Sequence, residues 1–292
     1  MKFSYRVWAV LSIFFLSLSS AIAEQIITSF NVSHAPVVDG YASDRAWAKA
    51  REFKTHDPIA NIDINIKTVY TKEKIYFLVR FPDASHNHAH KALIWNESSN
   101  LYKVGPLRED TFVFKWNMEP YPVDISLGSD NVYKADVWYW KSFRTNHSGY
   151  ADDKYHIYSD IMLAKGHKVY SKSGKGFYLL RKGDKGQAAY SNSIPIKYQG
   201  DRISGYKLQK PEGSRADVMA KGRWKDGIWT IEFSRKLNTQ HIDDIHLEPG
   251  NNYYFGVSRY EIAGRLENSS IEIPLYGAGD VGENLILKFK SR

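Results

Sequence analysis

Hydrophobic and polar positions alternate most regularly in two runs, 111–116 (TFVFKW) and 135–141 (ADVWYWK). In the first, Phe112, Phe114 and Trp116 fall on one face; in the second, Trp138 and Trp140 share a face, with Val137, Tyr139 and Lys141 opposite. A strand sends successive side chains to opposite faces. Aromatic and β-branched residues suit that pleated, half-buried surface, so both runs are predicted strands. Alternation recurs in 61–66 (NIDINI), which aligns Ile62, Ile64 and Ile66. Residues 74–81 (KIYFLVRF) are apolar enough to be buried on both faces and stop at Pro82-Asp83. A short strand is expected over 26–32 and three more over 228–233, 252–260 and 284–289. Asp226-Gly227 marks a hairpin turn between Trp224 and Trp229. Helical signals reduce to a short turn capped by Ser43 or Asp44, which buries Trp47. The pattern predicts an all-β chain, a β-sandwich or jelly roll with short helical turns.

The first 23 residues stand outside this pattern. Lys2 and Arg6 precede an apolar run over 8–18 and a small-x-small end, Ala21-Ile22-Ala23. That is the grammar of a secretory signal peptide, too short to span a membrane comfortably. Cleavage leaves residues 24–292 as one β-sandwich domain, periplasmic or secreted, without a later membrane-length stretch. The chain has no Cys, which rules out disulfides, thiolate metal sites, a thiol nucleophile and thioether-bound haem. The formal charge is +8, and it is concentrated: residues 161–225 carry 15 Lys and Arg against 4 Asp and Glu. Residues 161–223 are rich in Gly, Ser and Lys and weakly patterned, as in an elaborated loop insertion. A basic segment of this kind suits either a solvated face or the docking of an acidic redox partner. Nucleic acid is not an expected partner, because no recognised binding motif is present.

Candidate chemistry is sparse. His86, His88 and His90 alternate, and on a strand they would share a face suited to haem or metal ligation. They follow Pro82-Asp83, which places them in a loop, where a solvated or structural role is the plainer reading. Met118 offers a thioether that could bind haem iron or simply pack. Lys141 and His156 are further donors, and Lys ligates only when burial keeps it neutral. Asp152-Asp153 and Asp243-Asp244 are paired carboxylates whose neighbours point to opposite faces on a strand. Neither pair is by itself an acid–base constellation; each can cap a loop or help to bind Ca²⁺. No G-x-S-x-G, P-loop or H-E-x-x-H occurs, so a binding or electron-transfer protein is expected rather than an enzyme.

The stretches REDTFVFKWNM, ADVWYWKSFRTNHSGYADDK, RADVMAKGRWKDGIWTIEFSRKL and NNYYFGVSRYE resemble the haem-binding domain typified by the ethylbenzene dehydrogenase gamma subunit, in the variety found in exported cytochrome-like proteins. The opening APVVDGYASDRAWAKA is similar to the start of that domain and of related carbohydrate-binding sandwiches. The resemblance covers roughly residues 34–290 and implies a β-sandwich that holds one haem and transfers electrons. It also implies a Met and a Lys as axial ligands. These positions fall near Leu127 and Ser269, neither of which can serve, and the interval 119–134 has no Cys or His. The expectation is therefore non-covalent haem b, ligated from among Met118, His90, Lys141 and His156 in a pocket lined by Trp138 and Trp140. The alternative is a haem-free carbohydrate-binding or interaction module on the same sandwich.

Overall fold

The computed structural model describes residues 25–57, 61–260 and 285–291. The expected leader, residues 1–23, and Ser269 lie outside them. The first strands are β1 (Gln25–Asn31), β2 (Phe53–Asp57), β3 (Ile62–Tyr70), β4 (Lys74–Pro82), β5 (Leu93–Asn96) and β6 (Leu101–Val104). The central ones are β7 (Thr111–Asn117), β8 (Tyr133–Lys141), β9 (Asp152–Ser159), β10 (His167–Tyr170) and β11 (Gly176–Gly183). Five very short strands follow: β12 (Gly186–Gln187), β13 (Tyr190–Asn192), β14 (Arg202–Ile203), β15 (Tyr206–Leu208) and β16 (Glu212–Gly213). The last are β17 (Met219–Lys225), β18 (Ile228–Lys236), β19 (Asn252–Tyr260) and β20 (Leu285–Lys290).

The chain is all-β, and its core is a sandwich made by one long sheet turning back over itself. The order is β10-β11-β9-β8-β7-β19-β20-β1-β3-β4-β18-β17, with β2 attached to β3. Pairing is antiparallel except where β1 joins β20 and β3 in parallel. The two limbs face each other through aromatic rings. Phe77 of β4 lies 4.8 Å from Phe114 of β7 and 5.9 Å from Trp138 of β8, and Trp229 of β18 lies 4.9 Å from Trp140. At the open side Ala151 N–H donates to the Val218 carbonyl, so the edge strand β17 meets the start of β9. Ridges of Phe and Trp thus replace water across the whole interior, the dominant favourable contribution to folding.

Several local expectations hold. Phe112, Phe114 and Trp116 all face the interior, fully buried. Ile64 and Ile66 are likewise buried. Asp226 and Gly227 both have positive φ, 51° and 76°, the geometry of a two-residue hairpin loop between β17 and β18. Trp47 is buried on the short helical turn Arg45–Ala48, but Asp44 does not cap it. Its carboxylate accepts from Val37 N–H instead, while the Trp47 indole donates to Glu232.

The segment 161–223 is less of a loop than its composition suggests. Its first third forms β10 and β11, which widen the main sheet because Phe177 and Leu179 share a buried face. Only the part between Gly183 and Ser214 breaks into two- and three-residue strands, where Gly, Ser and Lys leave no apolar stripe to bury.

Candidate functional site

Register decides which candidate residues meet. Trp138 pairs with Phe114 on one side and Asp153 on the other, so all three point into the sandwich. Lys141, Tyr139 and Val137 point the opposite way, onto the outer face of the sheet, with their partners Asp152 and Lys154. His156, opposite Ala135, is on that outer face too.

The pocket expected between Trp138, Trp140 and Lys141 is therefore absent. Trp138 and Trp140 are fully buried in the core, against Phe77, Phe114, Trp116 and Trp229. Lys141 lies across the sheet from them. Alternation sets Lys141 on the opposite face from the two indoles, so closeness in sequence does not give them a common pocket. Met118 is half-buried against the interior cluster, where its thioether packs.

Lys141 is committed elsewhere. Its ammonium donates to Asp152 Oδ2 at 2.5 Å and to the Tyr190 hydroxyl at 2.8 Å. Burial brings its pKa down to about 8, against the attraction of Asp152. Asp152 also meets Lys154 at 3.3 Å and the Arg215 guanidinium. Burial favours its neutral form, but these three cations outweigh that and hold its carboxyl far below the usual range. A protonated amine bonded to a carboxylate has no lone pair for a metal, so Lys141 is a structural cation.

The network continues past Tyr190. Arg144 lies over the rings of Tyr190 and Tyr206, 4.9 and 5.1 Å away, and pairs with Glu109. His90 Nδ1 stands 3.5 Å from that same Glu109, and its ring is 5.8 Å from Tyr206. Burial, then the charges of Arg144 and Arg108, push the His90 pKa down to about 2. His86 and His88 sit apart, the former stacked on Trp224 at 5.3 Å.

Among the candidate donors His90 Nδ1 lacks a hydrogen-bond partner, and His156 goes further. It is half-buried, yet both ring nitrogens are shielded from water and have no hydrogen-bond partner. Burial keeps it neutral, and the charges of Lys115, Arg181 and Lys154 reinforce this. Arg181 pairs directly with it across β11, and Lys115 and Lys154 flank Val137 one rung away. Lys141 and His156 are six residues apart along β8 register, roughly 20 Å at strand rise, so they cannot share one iron. Sequence reasoning missed Lys115 and Arg181; continuing the alternation from Lys141 back through Val137 onto the neighbouring strand would have found the former.

A profile of the ethylbenzene dehydrogenase family matches residues 43–264. The chain belongs to that family. None of the curated proteins matches it. Among solved structures, a carbohydrate binding module family 9 from Caldicellulosiruptor kristjanssonii in complex with cellotriose is similar at 11% identity and TM-score 0.42, over 92% of this chain and 95% of that one. The same kind of module in complex with glucose gives 10% identity and TM-score 0.40, over 92% and 97%.

Of the expected donors, the one with both ring nitrogens unpartnered, His156, lies on the outer face. The interior offers no room beside Trp138 and Trp140. On the outer face, a neutral imidazole with unused nitrogens is the chemistry an iron needs from a protein ligand, and the surrounding cations suit carboxylate-bearing groups. Among the described residues no helix is long and apolar enough to cross a membrane.

Proposed function

We propose that this family member binds haem b non-covalently on the outer face of its sheet, with His156 as the protein's ligand to iron. The observation that carries the reading is the orphaned imidazole: a neutral ring whose two nitrogens lack partners, ringed by Lys115, Lys154 and Arg181. Leaving such a group unsatisfied costs about 1–3 kcal/mol, which a bound ligand would recover. Arg181, the exposed one of the three, would receive a haem propionate. Function follows from the cofactor: a periplasmic or secreted electron carrier, exported by its leader and docked to an acidic redox partner through Lys and Arg of residues 161–225. In support, Lys168 and Lys182 of that segment are solvent-exposed.

The test is an absorption spectrum of exported protein made with haem supply, with hemin titration of the haem-free form. A Soret band that is lost in His156→Ala and kept in Lys141→Met is expected. No Soret band and no shift on adding hemin would remove the reading.

A sugar-binding reading rests on Trp95, Tyr102 and Tyr198 around the small β14-β5-β6 sheet. Their rings meet edge-on, at 68° and 71°, and so do not form two parallel walls for a pyranose. The haem reading is preferred on that geometry.

A further inference from the structure

The two Asp-Asp pairs contribute to one place inside the sandwich. Asp153 of β9 and Asp136 of β8 both face inward: Asp153 is the cross-strand partner of Trp138, and Asp136 lies two residues before Trp138 on its own strand. Asp244 reaches them from the connection between β18 and β19. That connection is pinned by Ile245 N–H donating to Asp136 at 3.0 Å, and by Arg235 donating to the Ile245 carbonyl. One oxygen from each of Asp136, Asp153 and Asp244 lies within 4.8 Å of the others. Asp184 follows β11, and its N–H donates to the Asp153 carbonyl at 3.3 Å. All four residues are buried.

Proximity of acids alone would mean little. Here the decisive feature is that both carboxylate oxygens of Asp153, a residue with no exposed surface, lack any hydrogen-bond partner. The same is true of both oxygens of Asp184. Arg235 is the cation within the group. It pairs with Asp136 and stands 3.9 Å from Asp244, beyond hydrogen-bonding distance. His241 is 4.0 Å from Asp244 and is bonded to Asp217 instead, and Arg215 serves Asp152. Four carboxyls face one guanidinium in a dry interior, where an unpaired ion costs several kcal/mol, so they must either share protons or hold a cation. Buried charges are paired or coordinate metals.

We propose that Asp136, Asp153, Asp184 and Asp244 form a binding site for Ca²⁺. The ligand set is all oxygen, which selects a hard cation over zinc, copper or iron. Seven carboxylate oxygens without a hydrogen-bond partner, from separate strands and connections, suit the irregular, high coordination of Ca²⁺. Mg²⁺ demands octahedral geometry and keeps several waters, for which these buried side chains leave little place. The ion would tie β8 and β9 to the connections after β11 and β18, clamping one end of the sandwich. The site is on the interior face and is independent of His156, so either proposal can fail without the other.

The experiment uses the whole mature protein, stripped with EDTA and returned to CaCl₂, MgCl₂ or EDTA. A rise in Tm of several degrees is expected in CaCl₂ at about a hundredfold excess over Kd. Tb³⁺ should give luminescence sensitised by Trp138, displaced by Ca²⁺. In Asp153→Asn and Asp184→Asn the Ca²⁺-dependent rise should disappear and the Tb³⁺ emission fall at least tenfold. If one variant fails to fold, the other and the wild-type titration decide. An identical wild-type Tm in EDTA and CaCl₂, without Tb³⁺ emission, overturns the site and leaves carboxyls sharing protons. An equal rise with MgCl₂ overturns the assignment to Ca²⁺.

Discussion

Replacing His156 by Leu should stabilise the protein and abolish haem binding together. The two side chains are similar in volume, so no large cavity or overpacking is created. What changes is the polar inventory: one orphaned N–H and one orphaned ring nitrogen disappear, and apolar area replaces them. Each unsatisfied buried group costs about 1–3 kcal/mol, although part of that is already relieved by local adjustment. A net gain of about 1–2 kcal/mol at pH 7.5 is expected. The pH dependence supplies a second handle. The native ring resists protonation, its pKa held well below the ordinary 6.5 by burial and by three cations. Below pH 6.5 the unfolded chain takes up a proton that the native ring refuses, so native stability falls as pH falls. The Leu variant has no such proton, and its advantage should grow by about 1.4 kcal/mol per pH unit below 6.5. Urea unfolding of haem-free wild type and His156→Leu at pH 7.5, 6.5 and 5.5 reads this directly, as a rise in midpoint at unchanged slope. A variant less stable than wild type at pH 7.5, or an advantage that does not widen in acid, would mean that the imidazole has a partner in the native state. A variant that still gives the wild-type spectrum with hemin would sink its role as the iron's ligand.

Three further outcomes follow from the packing. In Gly222→Ala the new methyl would stand 2.4 Å from Trp140 Cζ2, in a fully buried ring, so the core must shift; a loss of about 1–3 kcal/mol in urea unfolding is expected. Arg235→Met removes the guanidinium that bonds Asp136 and the Ile245 carbonyl. A loss of about 3–5 kcal/mol follows from the carboxylates left behind, measured in EDTA. Asp110 has its pKa raised to about 7, by burial first and then by Asp83. The native state therefore keeps a proton that the unfolded state loses near 3.8, and stability falls as pH rises from about 4 to 7. Asp110→Asn can still accept from Asn87 N–H and the Trp229 indole, and its unfolding midpoint should fall less over that window.

Much of the sandwich was legible because apolar alternation is a local property. Phe112, Phe114 and Trp116, the Ile64–Ile66 pair and the Asp226-Gly227 turn each carry their structural reason within a few residues. The strands β10 and β11 were harder, because only Phe177 and Leu179 among basic and small residues mark a buried face. Nothing local announces that one sheet folds over itself, since that depends on β1 pairing with β20 across the length of the chain.

The site shows where sequence proximity and strand parity conflict. Trp138, Trp140 and Lys141 look like one constellation because they are adjacent, yet parity sends the indoles inward and the amine outward. The same rule splits Asp152 from Asp153. Asp152 faces Lys141, Lys154 and Arg215 on the outside and is amply neutralised. Asp153 faces the interior without a hydrogen-bond partner. Reading the pair as a unit hides both facts; reading alternate residues across β8 and β9 exposes them. On the outer face that procedure joins His156 to Lys154 and Lys115, and on the inner face it joins Asp153 to Asp136. Two groups left unsatisfied on opposite faces of one strand argue for two separate ligands. An imidazole hemmed in by cations and carboxylates short of them need ligands of opposite charge.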